Sequence, residues 1–274
     1  MRELHSRVHP LRSIPGWVKR EDELSFGISG PKLRKLLPLI DALKKERGAI
    51  FYGSAYSNFI LGAVQLLIEN GIDYRLVLKR AHTEKIAGNL HYLLRIASQE
   101  KILWDGGELP SDYRIIPEGG EVLECLEGAK TLAKSIRQNE KDLDLKFSKV
   151  LIDAGTGISA LGLILGLSDL KRTLPVHIFS MKLSEEEFRT KLLPHSINHP
   201  FHFYKLTHNK SFGAVTKTLL TFIDSFAKTE GFFLDPIYSG KLFFELMHTD
   251  AKKLLDNNSL IIHSGGALSL SGFP

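Results

Sequence analysis

The chain has 274 residues, a formal net charge of +5 at pH 7 and eleven histidines in addition. This length can bury a large core in one big or two smaller domains, while the lone Cys125 excludes a disulfide framework and fits a reducing cytosol. The positive charge is spread along the chain without a basic block flanked by aromatics, no apolar run is long enough for a membrane span, and the start "MRELHSRVHPLRS" lacks the apolar core of a secretory signal, so neither nucleic acid nor membrane is an expected partner.

In chain order, the first feature is "FGISGPKLRKL" (26–36), where glycines and a serine run into Pro31 and then Lys32, Arg34 and Lys35. An apolar helical pattern follows. Cations at a helix start oppose the backbone dipole, so an anion, or a lysine with a special task, is the expected reason for them. Pro38 predicts a late helix start or a kink. "AIFYGS" (49–54) reads as a strand and "SNFILGAVQLLIEN" (57–70) as a helix capped by Ser57. A strand over 74–80, a helix over 86–97, a strand over 101–104 and a strand ending in "PEGG" (117–120) come next.

A helix is expected over 121–138, with the charged run 137–146 as a surface connector. Strands over 149–155, 176–181, 201–206 and 260–266 alternate with helices over 158–167, 184–193, 214–229 and roughly 240–255. Such alternation predicts an α/β fold of mostly parallel twisted sheets wound with helices. Ligands in such folds sit beyond the carboxyl ends of the strands. That rule selects the turns at 53–58, 117–120, 154–159 and 263–266, all rich in Gly, Ser or Thr.

"DAGTGISALG" (153–162) offers Gly155, Thr156, Gly157, Ile158 and Ser159 as an anion-binding loop at a helix start. A plain tight turn is the alternative. The same stretch fits a dinucleotide fingerprint through Gly155, Gly157 and Ala160, but the next strand ends "FSMK" without the carboxylate a ribose needs. The pair Ser57-Asn58, the turn "LDPIYSGK" (234–241) and "IIHSGG" (261–266) each read equally as caps or turns. His195 and His199 are flanked by Pro194 and Pro200, with His202 beyond, which disfavours a metal-binding helix, and no metal is expected.

Taken in order, "VKREDEL…SGPKLRKL", "GSAYSNF", "IPEGG", "GTGISALG", "TEGFFLDPIYSGK" and "IIHSGG" resemble the fold-type-II pyridoxal-phosphate enzymes. The resemblance is to the branch holding 1-aminocyclopropane-1-carboxylate deaminase and D-cysteine desulfhydrase, and it spans about residues 18–268. It implies a two-domain fold, with a large cofactor-binding domain from 1–43 plus 139–274 and a small domain from 44–138. It also implies pyridoxal 5'-phosphate as cofactor, a small amino acid as substrate and a cytoplasmic homodimer.

Carried over by position, the resemblance makes Lys32 the Schiff-base lysine and Lys35 a neighbour of the phosphate. Ser57 then serves the substrate and Asn58 the phenolic oxygen of the ring. Gly155 to Ser159 become the phosphate loop, Tyr238 an active-site tyrosine and Ser239 the group facing the ring nitrogen. Lys32, Ser57 and Tyr238 are thus the catalytic candidates. A lysine that joins an aldehyde must reach its neutral form, which burial and cationic neighbours favour, and Arg34 and Lys35 are expected to be those neighbours. A serine hydroxyl at position 239 does not force protonation of the ring as a carboxylate would. That suits β-elimination of D-cysteine to pyruvate and ammonia more than opening of a cyclopropane ring. The chain departs from the family at Pro31, where an asparagine is usual, and at Phe212, where a second tyrosine is usual. A cyclopropane-opening deaminase and a binder of the cofactor with little catalysis are the alternatives.

Overall fold

A computed structural model of the chain describes residues 4–24, 31–79, 86–207 and 213–273. The elements run β1 (Val8–Pro10), β2 (Trp17–Arg20), α1 (Pro31–Leu43), β3 (Ala49–Ser54), α2 (Asn58–Glu69), β4 (Tyr74–Lys79), α3 (Asn89–Ile96), β5 (Ile102–Trp104) and β6 (Arg114–Ile116). They continue with α4 (Leu123–Asp142), β7 (Lys149–Ala154), α5 (Ile158–Asp169), β8 (Val176–Ser180), α6 (Glu185–Leu192), β9 (Phe201–Lys205), α7 (Lys217–Glu230), α8 (Ser239–His248) and β10 (Ser259–His263).

The strands form two sheets, in the orders β1-β2-β10-β7-β8-β9 and β5-β4-β3-β6. Among the described residues every pairing is parallel except β1 with β2. The central strands are continuous apolar runs, as sheets covered on both faces require: β10 is buried along its whole length, and so is β8. Among the described residues no helix is long and apolar enough to cross a membrane.

Three local readings differ from expectation. Strands β1 and β2 carry no strand signal of their own, being three and four residues long. Their order comes from pairing with β10, which sets Trp17 opposite Leu260 and Arg20 opposite His263. The helix expected to stop near residue 138 runs on to Asp142. The polar residues that suggested a connector are in part buried: Asn139 receives the Lys19 ammonium at 2.6 Å, and Glu140 pairs with Arg172. Finally, α1 starts at Pro31 and carries Pro38 inside it, with no late start. Proline at a first helical position loses nothing, since that N–H has no intrahelical partner.

Pro38 has a packing consequence. It has no N–H to give the carbonyl of Arg34, one helical turn earlier. That carbonyl faces Gly128 of α4, where an added Cβ would overlap it. Helix α4 packs on α1 on one side and on α5 on the other, so it links the helices of the two sheets. Gly128→Ala should therefore destabilise the fold by about 1–3 kcal/mol, because a backbone carbonyl cannot move aside as a side chain can. This outweighs alanine's helix preference of roughly 1 kcal/mol. A denaturation midpoint equal to or above wild type would refute the close approach.

Candidate active site

The carboxyl ends of β3, β7 and β10 open on one cleft. It encloses about 660 Å³ open to solvent and is lined by Lys32, Ser57, Asn58, Asp153, Tyr238 and Ser264, among others. An outer cleft continues from it past Glu118, Thr156 and Tyr238 to Lys182 and Lys191. Lys32, Lys35, Ser57, Asn58, Tyr238 and the loop from Gly155 to Ser159 all line the inner cleft. Ser239 does not: it is fully buried, one hydroxyl behind the lining, with its Oγ 3.1 Å from that of Ser264. Residues 25–30 and Phe212 lie outside the described residues.

Helix α1 divides its cations between two faces. Lys32 and Lys35, three apart, share the face toward the cleft. Arg34 points elsewhere. Its guanidinium is buried against the Glu21 carboxylate, with Nε to Oε2 at 2.6 Å and Nη2 to Oε1 at 2.7 Å. The expectation that Arg34 tunes Lys32 as a cleft neighbour is corrected accordingly. Lys35 stays beside the cleft: it is buried, and its Nζ donates to the Gly119 carbonyl at 2.8 Å. Burial pushes its ammonium down to about 8, and the charge of Lys32 adds to this. The Lys32 Nζ stands 4.9 Å from the centroid of the Tyr238 ring. Burial pushes the Tyr238 phenol up, and the charges of Asp235, Asp153 and Glu118 act in the same direction.

The loop after β7 leads into an open helix start. Gly157 stands at the N-cap of α5 with φ 86°, in the left-handed region that favours glycine, and it makes no side-chain cap hydrogen bond. The first N–H groups of α5 are therefore not capped by that residue's side chain, and the helix dipole favours an anion there. Ser57 shows the opposite arrangement. Its Oγ accepts from the N–H groups of Phe59 and Ile60, so it does cap α2. Those contacts use the oxygen's lone pairs and leave its proton available.

Three groups that sequence reasoning missed complete the site. Asn89 donates to Asn58 Oδ1 at 2.8 Å and to the Tyr56 carbonyl at 3.0 Å. With its oxygen engaged, Asn58 is left to present its N–H₂ to a ligand. Asp235 accepts from the N–H groups of Ile237, Tyr238 and Ser239 and so shapes the turn into α8. Asp153, at the end of β7, is only 6% exposed, and its Oδ1 finds no hydrogen-bond partner among the described residues. Burial pushes this carboxyl up to about 6. The Lys32 charge opposes that shift, the Asp235 charge adds to it, and a hydrogen bond from Ser264 opposes it. Of the three, Asp235 alone had a sequence signal, in the "DP" that opens its turn.

No protein-family model matches the chain. It is 29% identical to a Pyrococcus horikoshii protein named as a candidate 1-aminocyclopropane-1-carboxylate deaminase, over 91% of this chain and 84% of that one. It is 27% identical to an Arabidopsis thaliana protein named bifunctional D-cysteine desulfhydrase/1-aminocyclopropane-1-carboxylate deaminase, over 93% of this chain and 73% of that one. A solved structure described as a 1-aminocyclopropane-1-carboxylate deaminase homologue superposes with a TM-score of 0.80 at 23% identity, covering 97% of this chain and 90% of that one. The chain thus has the fold of the type II pyridoxal-phosphate enzymes and resembles, over nearly its whole length, proteins named for 1-aminocyclopropane-1-carboxylate deaminase and D-cysteine desulfhydrase.

Proposed function

We propose that the chain is a pyridoxal-phosphate-dependent lyase of small amino acids that carries out a D-cysteine desulfhydrase type of β-elimination. The observation behind this reading is the meeting of Lys32, the α5 loop, Asn58 and Tyr238 in one cleft. These groups fit the cofactor's chemistry. A lysine amine suits its aldehyde. A glycine-rich helix start and the buried Lys35 suit its phosphate. An amide with its oxygen already engaged suits its phenolic oxygen. When bound, the cofactor supplies an electron-withdrawing ring for the charge left at Cα.

The chain's own residues do the rest. Lys32 would hold the cofactor through its amine and would be released from it by the substrate's own amine. It then stands ready to take the Cα proton. Ser57 and Tyr238 offer hydroxyls to the substrate. Lys35, whose ammonium burial pushes down to about 8, has its charged form favoured beside an anion. In balance, D-cysteine and water give pyruvate, ammonia and hydrogen sulfide.

A second reading, the cyclopropane-opening deaminase, is favoured by the name of the Pyrococcus horikoshii relative, while the Arabidopsis name carries both activities. Keto-acid release separates the two. Protein supplied with the cofactor is expected to form pyruvate and sulfide in equal amounts from D-cysteine. Formation of 2-oxobutyrate from the cyclopropane acid, with none from D-cysteine, would select the second reading. No keto acid from D-cysteine, L-cysteine, D-serine or the cyclopropane acid would sink both.

A further inference from the structure

Asp153 lines the cleft, yet the cofactor fit just described gives it no task. A buried carboxylate oxygen without a partner is costly unless a ligand supplies a donor. Its surroundings leave that oxygen as the open position. Ser264 stands beside the carboxyl and acts to hold its pKa down against burial. Ser239 has its Oγ 3.1 Å from the Ser264 Oγ and accepts from the Ser264 N–H at 3.1 Å. A hydroxyl has one proton and two acceptor positions. Ser239 can therefore donate to Ser264, which leaves the Ser264 hydroxyl proton free for Asp153.

The charged and titratable groups facing this carboxyl come from other elements: Lys32 on α1, and Asp235 and Tyr238 before α8. The cleft's other lining carboxyl, Glu118, is 43% exposed and stands 3.8 Å from Lys79, so it is already matched. Of the polar groups on pyridoxal phosphate, the phosphate, phenolate and aldehyde oxygens are acceptors. Only the ring nitrogen carries a proton to offer a carboxylate.

Resting on the cofactor reading above, we propose that Asp153 is a further catalytic residue: its open oxygen accepts the N–H of the pyridine ring and keeps that nitrogen protonated, while Ser264 and Ser239 hold the carboxyl in place. The ring proton comes from solvent or from Asp153 itself, and no other bond changes. Ser239 then acts as a buttress, and the carboxylate absent from position 239 is supplied from β7. The ring becomes a stronger electron acceptor than a serine partner alone would give, so the hydroxyl at position 239 no longer argues against opening of a cyclopropane ring.

The test uses cofactor labelled at the ring nitrogen, loaded onto wild type, Asp153→Asn and Asp153→Ser. Borohydride trapping and peptide mapping report attachment to Lys32, and NMR reports the ring nitrogen. The expected result is a pyridinium signal in wild type at neutral pH, a neutral-pyridine signal in both variants, and Lys32 attachment in all three. A neutral ring in wild type, or a pyridinium that survives in both attached variants, would overturn the assignment of Asp153 alone. Loss of attachment in both variants would also overturn it, because attachment needs no partner at the ring nitrogen. No attachment in wild type would overturn the cofactor reading, and this proposal with it.

Discussion

Glu21→Ala should destabilise the fold by about 3–5 kcal/mol, the cost of breaking a buried ion pair by removing one partner. Glu21 is fully buried at the turn after β2. Its two oxygens take the Arg34 guanidinium at 2.6 and 2.7 Å and the Ser6 hydroxyl at 2.6 Å, with the Lys19 ammonium 3.8 Å away. Burial pushes the carboxyl up, but the Arg34 charge, its hydrogen bonds and then Lys19 more than offset this and leave it below its usual value. Alanine would strand two buried cations. Lys19 would keep Ser135 and Asn139 on α4, at 2.8 and 2.6 Å, and among the described residues Arg34 would keep the Leu4 carbonyl and Thr131. Hydrogen bonds to neutral acceptors do not replace a counter-charge in a low-dielectric interior.

The same pair sets a pH dependence. Glu21 has a depressed folded pKa, so its contribution is fully present above its ordinary value of 4.5 and is lost as the pH falls through the lower folded value. Glu21→Ala should lack that part of the acid-side loss. Urea midpoints at neutral and acid pH check both statements. The double variant Glu21→Met/Arg34→Met should cost less than the sum of its parts, since no charge is then left unpaired. A single variant within about 1 kcal/mol of wild type would mean that the pair is solvated.

The ion pair also illustrates what the sequence could and could not reveal. "VKREDEL" and "PKLRKL" were legible as matching text, yet only the fold shows that Glu21 and Arg34 serve each other and not the cleft. Three cations in four positions looked like one anion site, but the 100° turn per residue of a helix sends Arg34 away from Lys32 and Lys35. Strands with apolar runs, such as 149–154 and 259–263, could be read from composition, because a sheet covered on both faces needs continuous apolar residues. The strand Trp17–Arg20 could not, since a partner strand specifies it and two of its four residues are buried cations.

Residues at the strand-end turns were foreseen because those turns need glycine and hydroxyls. Asn89 and Asp153 were not, because a lone amide at a helix start or a lone acid at a strand end has many ordinary meanings. The roles of both depend on a partner remote in sequence: Asn58 lies 31 residues away for one, and Ser264 is more than a hundred away for the other.

Lys32→Ala should abolish covalent capture of the cofactor and lower turnover by about 10²–10⁴-fold, the contribution of one positioned proton-transfer group. Capture is read by borohydride trapping and turnover by keto-acid release. Lys35→Ala is the informative contrast. Both lysines stand on the cleft face of α1, but Lys35 is buried and tied to the Gly119 carbonyl, whereas Lys32 is half-buried with its Nζ against the Tyr238 ring. An amine that must leave one partner and meet another needs that freedom; a counter-ion for a phosphate does not. Lys35→Ala should therefore weaken cofactor binding yet leave the residue trapped at position 32. If trapping instead survives in Lys32→Ala and disappears in Lys35→Ala, the covalent role belongs to Lys35, and the resemblance has been aligned one helical turn out of place.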